Sequence, residues 1–186
     1  AGMLAKTLTS AGHDVVWWTS SFDHFRKQQR CATDTCRQVD GYKMWLLHGP
    51  AYRTSVSPAR IRNHRAVAAG FSRLAPREPA PDVILCSMPT IELSLAATRY
   101  ARQRGIPIVL DIRDLWPDII VDHAPYGTRW AARWGLDFMF RQLRQACRDA
   151  TAITGITDGC GDLALPYAGR ARGSLDQAFP LAYSDR

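Results

Sequence analysis

Lysine is scarce in this chain of 186 residues: Lys6, Lys27 and Lys43 are all it has, so its formal charge of +7 comes from arginine. No apolar run is long enough to cross a bilayer. The longest, such as Ile106 to Leu110, are strand-sized. A basic-then-apolar leader pattern is missing, and the five cysteines (Cys31, Cys36, Cys86, Cys147, Cys160) are odd in number and fall in different predicted elements. Together these favour reduced thiols and a cytoplasmic location. Cys31 and Cys36 are the only close pair, with no second Cys/His pair beside them, so no zinc site or other metal is expected. Neither a Walker-type loop nor the Rossmann glycine fingerprint occurs. The spacing offers no Ser-His-Asp or Cys-His arrangement. A sugar-nucleotide epimerase would carry Tyr-x-x-x-Lys, which is absent. Zinc-finger spacing and single-strand stacking motifs are lacking too, so nucleic acid is not an expected partner.

What is present is the composition of a globular domain, with 46% apolar and 22% charged residues. The arginines gather in two segments, one holding Arg60, Arg62, Arg65, Arg73 and Arg77, the other Arg129, Arg133, Arg141, Arg144 and Arg148. Such charge suits phosphorylated ligands or an anionic membrane surface, with a solvated helix face as the plain reading. The pattern predicts a helix over 1–11 with Met3, Leu4 and Leu8 on one face, then a strand at Val15–Thr19. Residues 20–40 have no clean period and read as a long exposed loop. Tyr42–His48 is a second strand. Ser57-Pro58 opens a helix over 57–76 whose buried face holds Ile61, Val67, Phe71 and Leu74. Val83–Cys86 is a strand, Thr90 caps a helix that Gly105 ends, and Ile106–Ile112 is the next strand. One helix over 128–149 carries Trp130, Trp134, Phe138 and Leu143. Ala152–Thr154 and Asp158–Leu165 close the pattern as strand and helix. The alternation predicts an α/β, Rossmann-like, doubly wound and mostly parallel sheet. Residues 1–168 form the domain and 169–186 a connecting tail.

In such sheets ligands sit beyond the carboxyl ends of the strands. That rule selects Ser20–Gln29, Ser87–Thr90, Asp111–Asp118 and Thr157–Gly159. Asp111 to Asp118 packs three carboxylates, an arginine and a tryptophan into eight residues, which is costly unless the charges are paired or bind something. A structural pair between Arg113 and a carboxylate is the competing reading, and Asp118 is expected in solvent. Ser87 to Thr90 and Thr157 each adjoin a helix start, fit for an anion or for plain capping. His24 is the best ligand-contact histidine.

Several segments together resemble the N-terminal domain of GT-B-fold retaining glycosyltransferases of family 4, in the branch that builds bacterial surface polysaccharides. They are Ala11–Ser20, Phe22–Phe25, Asp82–Thr90, Asp111–Pro117 and Ala152–Thr157, and their order spans nearly the whole chain. The resemblance implies a two-domain enzyme that moves a sugar from a nucleotide donor, such as a UDP-sugar, without a required metal or other cofactor. Its acceptor is a glycan or polyprenyl-linked molecule, which implies work at the inner face of the cytoplasmic membrane. It further implies a first strand with a Gly-rich turn and a donor-binding domain outside these 186 residues, so that the chain alone does not transfer sugar. Arg113 stands where the family often has histidine. On this reading Arg113 and Asp114 act in catalysis, while Phe22, His24, Lys27, Ser87, Pro89, Thr90, Asp111, Trp116 and Thr157 bind substrate. A non-catalytic flavodoxin-like module binding phosphate or a nucleotide is the alternative.

Overall fold

The computed structural model describes residues 2–114 and 116–180. Leu115, within the Asp111–Pro117 stretch, and the last six residues of the tail lie outside the described residues. The chain divides into two compact units, residues 1–77 and 78–186, and the expected domain over 1–168 takes in all of the first and most of the second.

The first unit runs α1 (Gly2–Ser10), β1 (Val16–Ser20), β2 (Phe22–Asp23), β3 (Gln28–Gln29), β4 (Thr35–Val39), β5 (Tyr42–Leu47) and α2 (Pro58–Leu74). β1 and β5 pair in parallel, and α2 packs on both. Trp18 stacks on Trp45 at 5.6 Å and meets the edge of Phe71 at 5.2 Å, fixing helix to sheet. Ser57 caps α2 by accepting the Arg60 amide, with proline at the first helical positions as expected. Val67, Phe71 and Leu74 are buried beneath it, whereas Ile61 is only half-buried.

Two expectations need correcting here. Residues 20–40 are not one loop: β2 and β3 form a small antiparallel pair, and β4 pairs antiparallel with β5. β4 escapes a periodicity reading because it is a sheet edge, so neither of its faces needs to be apolar. Its turn, Asp40-Gly41, has φ of 45° and 85°, the left-handed pair that tight hairpins require. Secondly, the predicted apolar face of α1 is not covered. Met3, Leu4 and Leu8 are exposed and Ala5 is its buried residue.

The second unit runs β6 (Ile84–Ser87), α3 (Ile91–Arg104), β7 (Ile108–Ile112), α4 (Asp118–Asp122), α5 (Arg129–Gly135), α6 (Asp137–Asp149), β8 (Ala152–Gly155) and α7 (Asp158–Ala168). β6, β7 and β8 form a parallel sheet with β7 central, the Rossmann-like α/β class that the alternation predicts. α6 packs against α3 and α7 and buries Met139, Phe140, Leu143, Ala146 and Cys147. Gly105 ends α3 in the left-handed conformation, as expected.

Thr90 precedes α3 without a side-chain capping bond, so its expected capping role fails; its carbonyl instead accepts from the amide and hydroxyl of Ser94. The single helix over 128–149 is two helices that break at Gly135-Leu136, where glycine weakens helical continuity. Asp118 is half-buried rather than solvated and accepts from the Tyr167 hydroxyl at 2.6 Å.

The tail is coil, yet it is pinned to β8. Phe179 donates to the Gly155 carbonyl at 2.8 Å, and Ala178 bridges Gly155 in parallel. Asp176, 5% exposed, accepts from the Ile153 amide at 2.8 Å, from the Gly173 amide at 2.6 Å and from Arg170. Arg170 holds the Asp176 carboxyl well below the usual carboxylate range; burial opposes this, and the two amides add to it. A depressed folded-state pKa gives stability that is full above the unfolded pKa of about 3.9 and is lost as pH falls through the folded value. Asp176→Asn should therefore cost about 2–3 kcal/mol near pH 7. In urea titrations over a pH series, the gap to wild type should narrow steadily below about pH 4. A gap that is flat with pH would mean the carboxylate charge does not hold the tail.

Candidate functional site

In the second unit the strand ends converge on Asp111. It is the last polar residue of β7, 8% exposed, and flanked by the ends of β6 and β8. Ser87 donates to its Oδ2 at 3.1 Å, Thr154 to its Oδ1 at 3.5 Å, and Arg113 Nε to its Oδ2 at 2.6 Å. A buried carboxylate is stable when its lone pairs are met in this way. The Arg113 guanidinium spends only its Nε edge on the pair. Its side chain remains 40% exposed, at the end of the central strand.

The other expected residues of this unit divide. Asp114 is exposed and makes no hydrogen bond or ion pair among the described residues. Trp116 is buried at 8%, so its ring is not presented to solvent; the peptide bond to Pro117 is cis. Pro89 and Thr90 are half-buried ahead of α3. Thr157 caps α7 by accepting the Cys160 amide at 3.3 Å, the capping that its position predicts. Thr154, the second hydroxyl on the Asp111 carboxylate, is missed by a reading of strand ends because it lies inside β8. Its alternation with Ile153 was the available signal.

The first unit presents a separate cluster beyond the carboxyl ends of β1 and β5. Phe22 is buried and lies 4.6 Å from the Tyr52 ring. Tyr52 meets His24 Nδ1 at 2.9 Å, and the Lys27 ammonium approaches the same nitrogen at 3.4 Å while standing 5.2 Å over the Tyr52 ring. An ammonium can only donate, so Nδ1 accepts and the neutral imidazole carries its proton on Nε2. Partial burial depresses the His24 pKa, and the charges of Lys27, Arg60 and His64 depress it further, Asp23 opposing. Burial also raises the Tyr52 pKa, which keeps its hydroxyl a neutral donor. Beside these groups lies an open pocket of about 510 Å³ lined by Lys27, Tyr52, Arg53, Thr54 and Ser57 with Ala51 and Ala59. It adjoins the N-terminus of α2, so cations, hydroxyls and a helix dipole face one space.

Sequence reasoning selected Phe22, His24 and Lys27 but passed over Tyr52, Arg60 and His64. The location of Tyr52 between the end of a strand and the Ser57-Pro58 helix start was the signal for it. Arg60 Nε donates to His64 Nε2 at 3.2 Å, and His64 is buried. Among the described residues no three His, Cys, Asp or Glu side chains gather as metal ligands. All five cysteines are free thiols; burial pushes Cys86 up to about 11 and Cys147 up to about 12.

The sequence model of one family, the glycosyl transferase 4-like domain, matches residues 1–173. No curated protein matches the chain.

The charges around His24 make a measurable expectation. In an NMR titration its midpoint should lie below that of a free imidazole, about 6.5. Lys27→Gln should raise it, because a nearby cation disfavours the imidazolium. A midpoint at or above the free value, unmoved by the substitution, would place His24 outside this cluster in solution.

Proposed function

Because the chain belongs to the glycosyl transferase 4-like family, and is a glycosyltransferase domain, we propose that it forms the acceptor-side part of a retaining hexosyltransferase. The donor is a nucleotide sugar, UDP-linked, and the acceptor a glycan or polyprenyl-linked molecule of surface polysaccharide synthesis. The reaction takes place on the cytoplasmic side of the membrane, and the 186 residues alone do not turn over. The observation that carries this reading is Arg113 clamped at a parallel strand end by a buried carboxylate, within a chain that the family matches almost throughout.

Transfer breaks the bond between the anomeric carbon and the nucleotide diphosphate and forms one to the acceptor oxygen on the same face. Negative charge grows on the leaving diphosphate and positive charge on the sugar ring. Arg113 suits the first demand: Asp111 fixes its Nε edge, so its terminal nitrogens are oriented before substrate arrives. Asp114, exposed on the same loop, suits the second. Ser87, Pro89, Thr90, Trp116 and Thr157 line or support that face. Phe22, His24 and Lys27 with Tyr52 take the acceptor: the Lys27 ammonium and the Arg53 side chain for its anionic groups, Tyr52, Thr54 and Ser57 for its hydroxyls.

In a transferase that carries this domain joined to its donor-binding half, Arg113→Ala or Asp114→Ala should lower kcat about a hundredfold, the usual loss for a group that stabilises transition-state charge. Circular dichroism of each variant checks the fold. Near-wild-type turnover in both folded variants would make the loop a structural feature and end this assignment.

A further inference from the structure

The two arginine-rich segments have different fates. In α2 the apolar face is core, since Val67, Phe71 and Leu74 lie buried under the helix. The second segment divides at Gly135: α6 buries its apolar side chains, whereas α5 buries none. Trp130 and Trp134, one turn apart on the same face of α5, are 75% and 83% exposed. Tyr126 precedes them by the same four-residue step and is 91% exposed. Arg129 and Arg133 form a parallel stripe one residue back along the chain, and both are exposed.

Rings of this size are ordinarily covered, and a helix of seven residues with no buried face has little stability of its own. The surface is also one-signed. From His123 to Leu136 the chain has two arginines and no carboxylate. Neither arginine forms an ion pair among the described residues: Arg129 stacks over the Tyr126 ring at 5.9 Å, while Arg133 stacks over the Phe140 ring at 4.4 Å and donates to the Tyr167 hydroxyl, contacts that leave both charges in place. The flanking Asp137 is already engaged by Arg141 and Arg144. Of Asp122, the backbone carbonyl accepts from Arg129.

We propose that the segment from Tyr126 to Gly135 is a membrane-docking surface that lies in the plane of an anionic lipid bilayer. Tyrosine and tryptophan rings settle at the level of the lipid headgroups, where an apolar body and a polar edge are both satisfied. The Arg129 stem runs along that layer so that its guanidinium reaches lipid phosphates, while Arg133, held over Phe140 and against Tyr167, adds its positive charge to the same face. The positive stripe, with no carboxylate between, is what selects an anionic bilayer over a neutral one. No helix of the described residues is long and apolar enough to cross a membrane. This assignment stands on the exposed surface alone and is independent of the transfer chemistry.

The test is co-sedimentation of the 186-residue chain with vesicles of phosphatidylglycerol and phosphatidylcholine in equal parts, and with pure phosphatidylcholine. The wild-type chain should pellet with the anionic vesicles at low salt, stay in solution with the neutral ones, and detach as salt shortens the Debye length toward about 3 Å at 1 M. Trp130→Ser/Trp134→Ser should weaken partition by about tenfold or more, and Arg129→Gln/Arg133→Gln should do likewise. Both pairs lie outside the core, and an unchanged circular dichroism spectrum confirms that each variant folds. Failure of the wild-type chain to bind anionic vesicles at low salt would overturn the proposal, as would equal binding to both vesicle types. Wild-type binding by both double variants would also overturn it, because the arginines of α2 would then be the attachment.

Discussion

An ionised carboxylate inside a parallel sheet must be answered on every side, and Asp111 organises the second unit by that requirement. It stands at the end of the central strand, where the backbone ladder runs out and side chains alone can satisfy it. β6 supplies Ser87, β8 supplies Thr154, and the chain two residues on must turn back far enough for Arg113 to close the set. The Met88 amide on the Asp111 carbonyl at 2.9 Å ties the β6 exit to the same point. The course of the loop after β7 follows from this: with Arg113 held inward along one edge, Asp114 is left facing solvent. A hydrocarbon at position 111 would leave a guanidinium without its anchor and two hydroxyls without their acceptor.

The first unit solves a comparable problem with rings instead of a carboxylate. Its two strand-exit loops meet through Phe22, Tyr52 and His24, and a single imidazole nitrogen receives two donors. The result is a local excess of positive charge that the histidine relieves by staying neutral. The imidazole Nε2–H and the Lys27 ammonium remain donors, while the Tyr52 oxygen, its proton spent on His24, is left as an acceptor, a set that suits ligand oxygens whether hydroxyl or phosphate.

Much of this architecture was legible from the residues. The β6-α3-β7 unit is written as two continuous apolar runs around an amphipathic stretch ending in Gly105, and Ser57-Pro58 marks a helix start by elementary capping chemistry. What periodicity could not reveal has physical causes. β4 carries Thr35-Cys36-Arg37-Gln38-Val39, a sequence with no face to bury because it lies at an edge; only the Asp40-Gly41 turn betrayed it. The stretch 128–149 looks like one amphipathic helix, but its tryptophans and its leucines belong to different surfaces once the chain breaks at Gly135. At the site, the strand-end rule found Asp111 and Arg113, while the choice of partner was invisible. Three carboxylates lay within reach of Arg113 along the chain, and only the sheet register shows that the buried one, not Asp114 or Asp118, receives it.

The seat of Lys27 has a practical side. All three lysines lie within residues 1–77, so a reagent that acylates lysine amines finds its targets in the first unit. Lys27 differs from its two companions in lining the pocket, where its nitrogen touches the face of Tyr52 and the ring of His24. Amine footprinting of this chain would thus have one pocket reporter, read by mass against Lys6 and Lys43 as internal standards, while the lysine-free second unit stays chemically silent throughout.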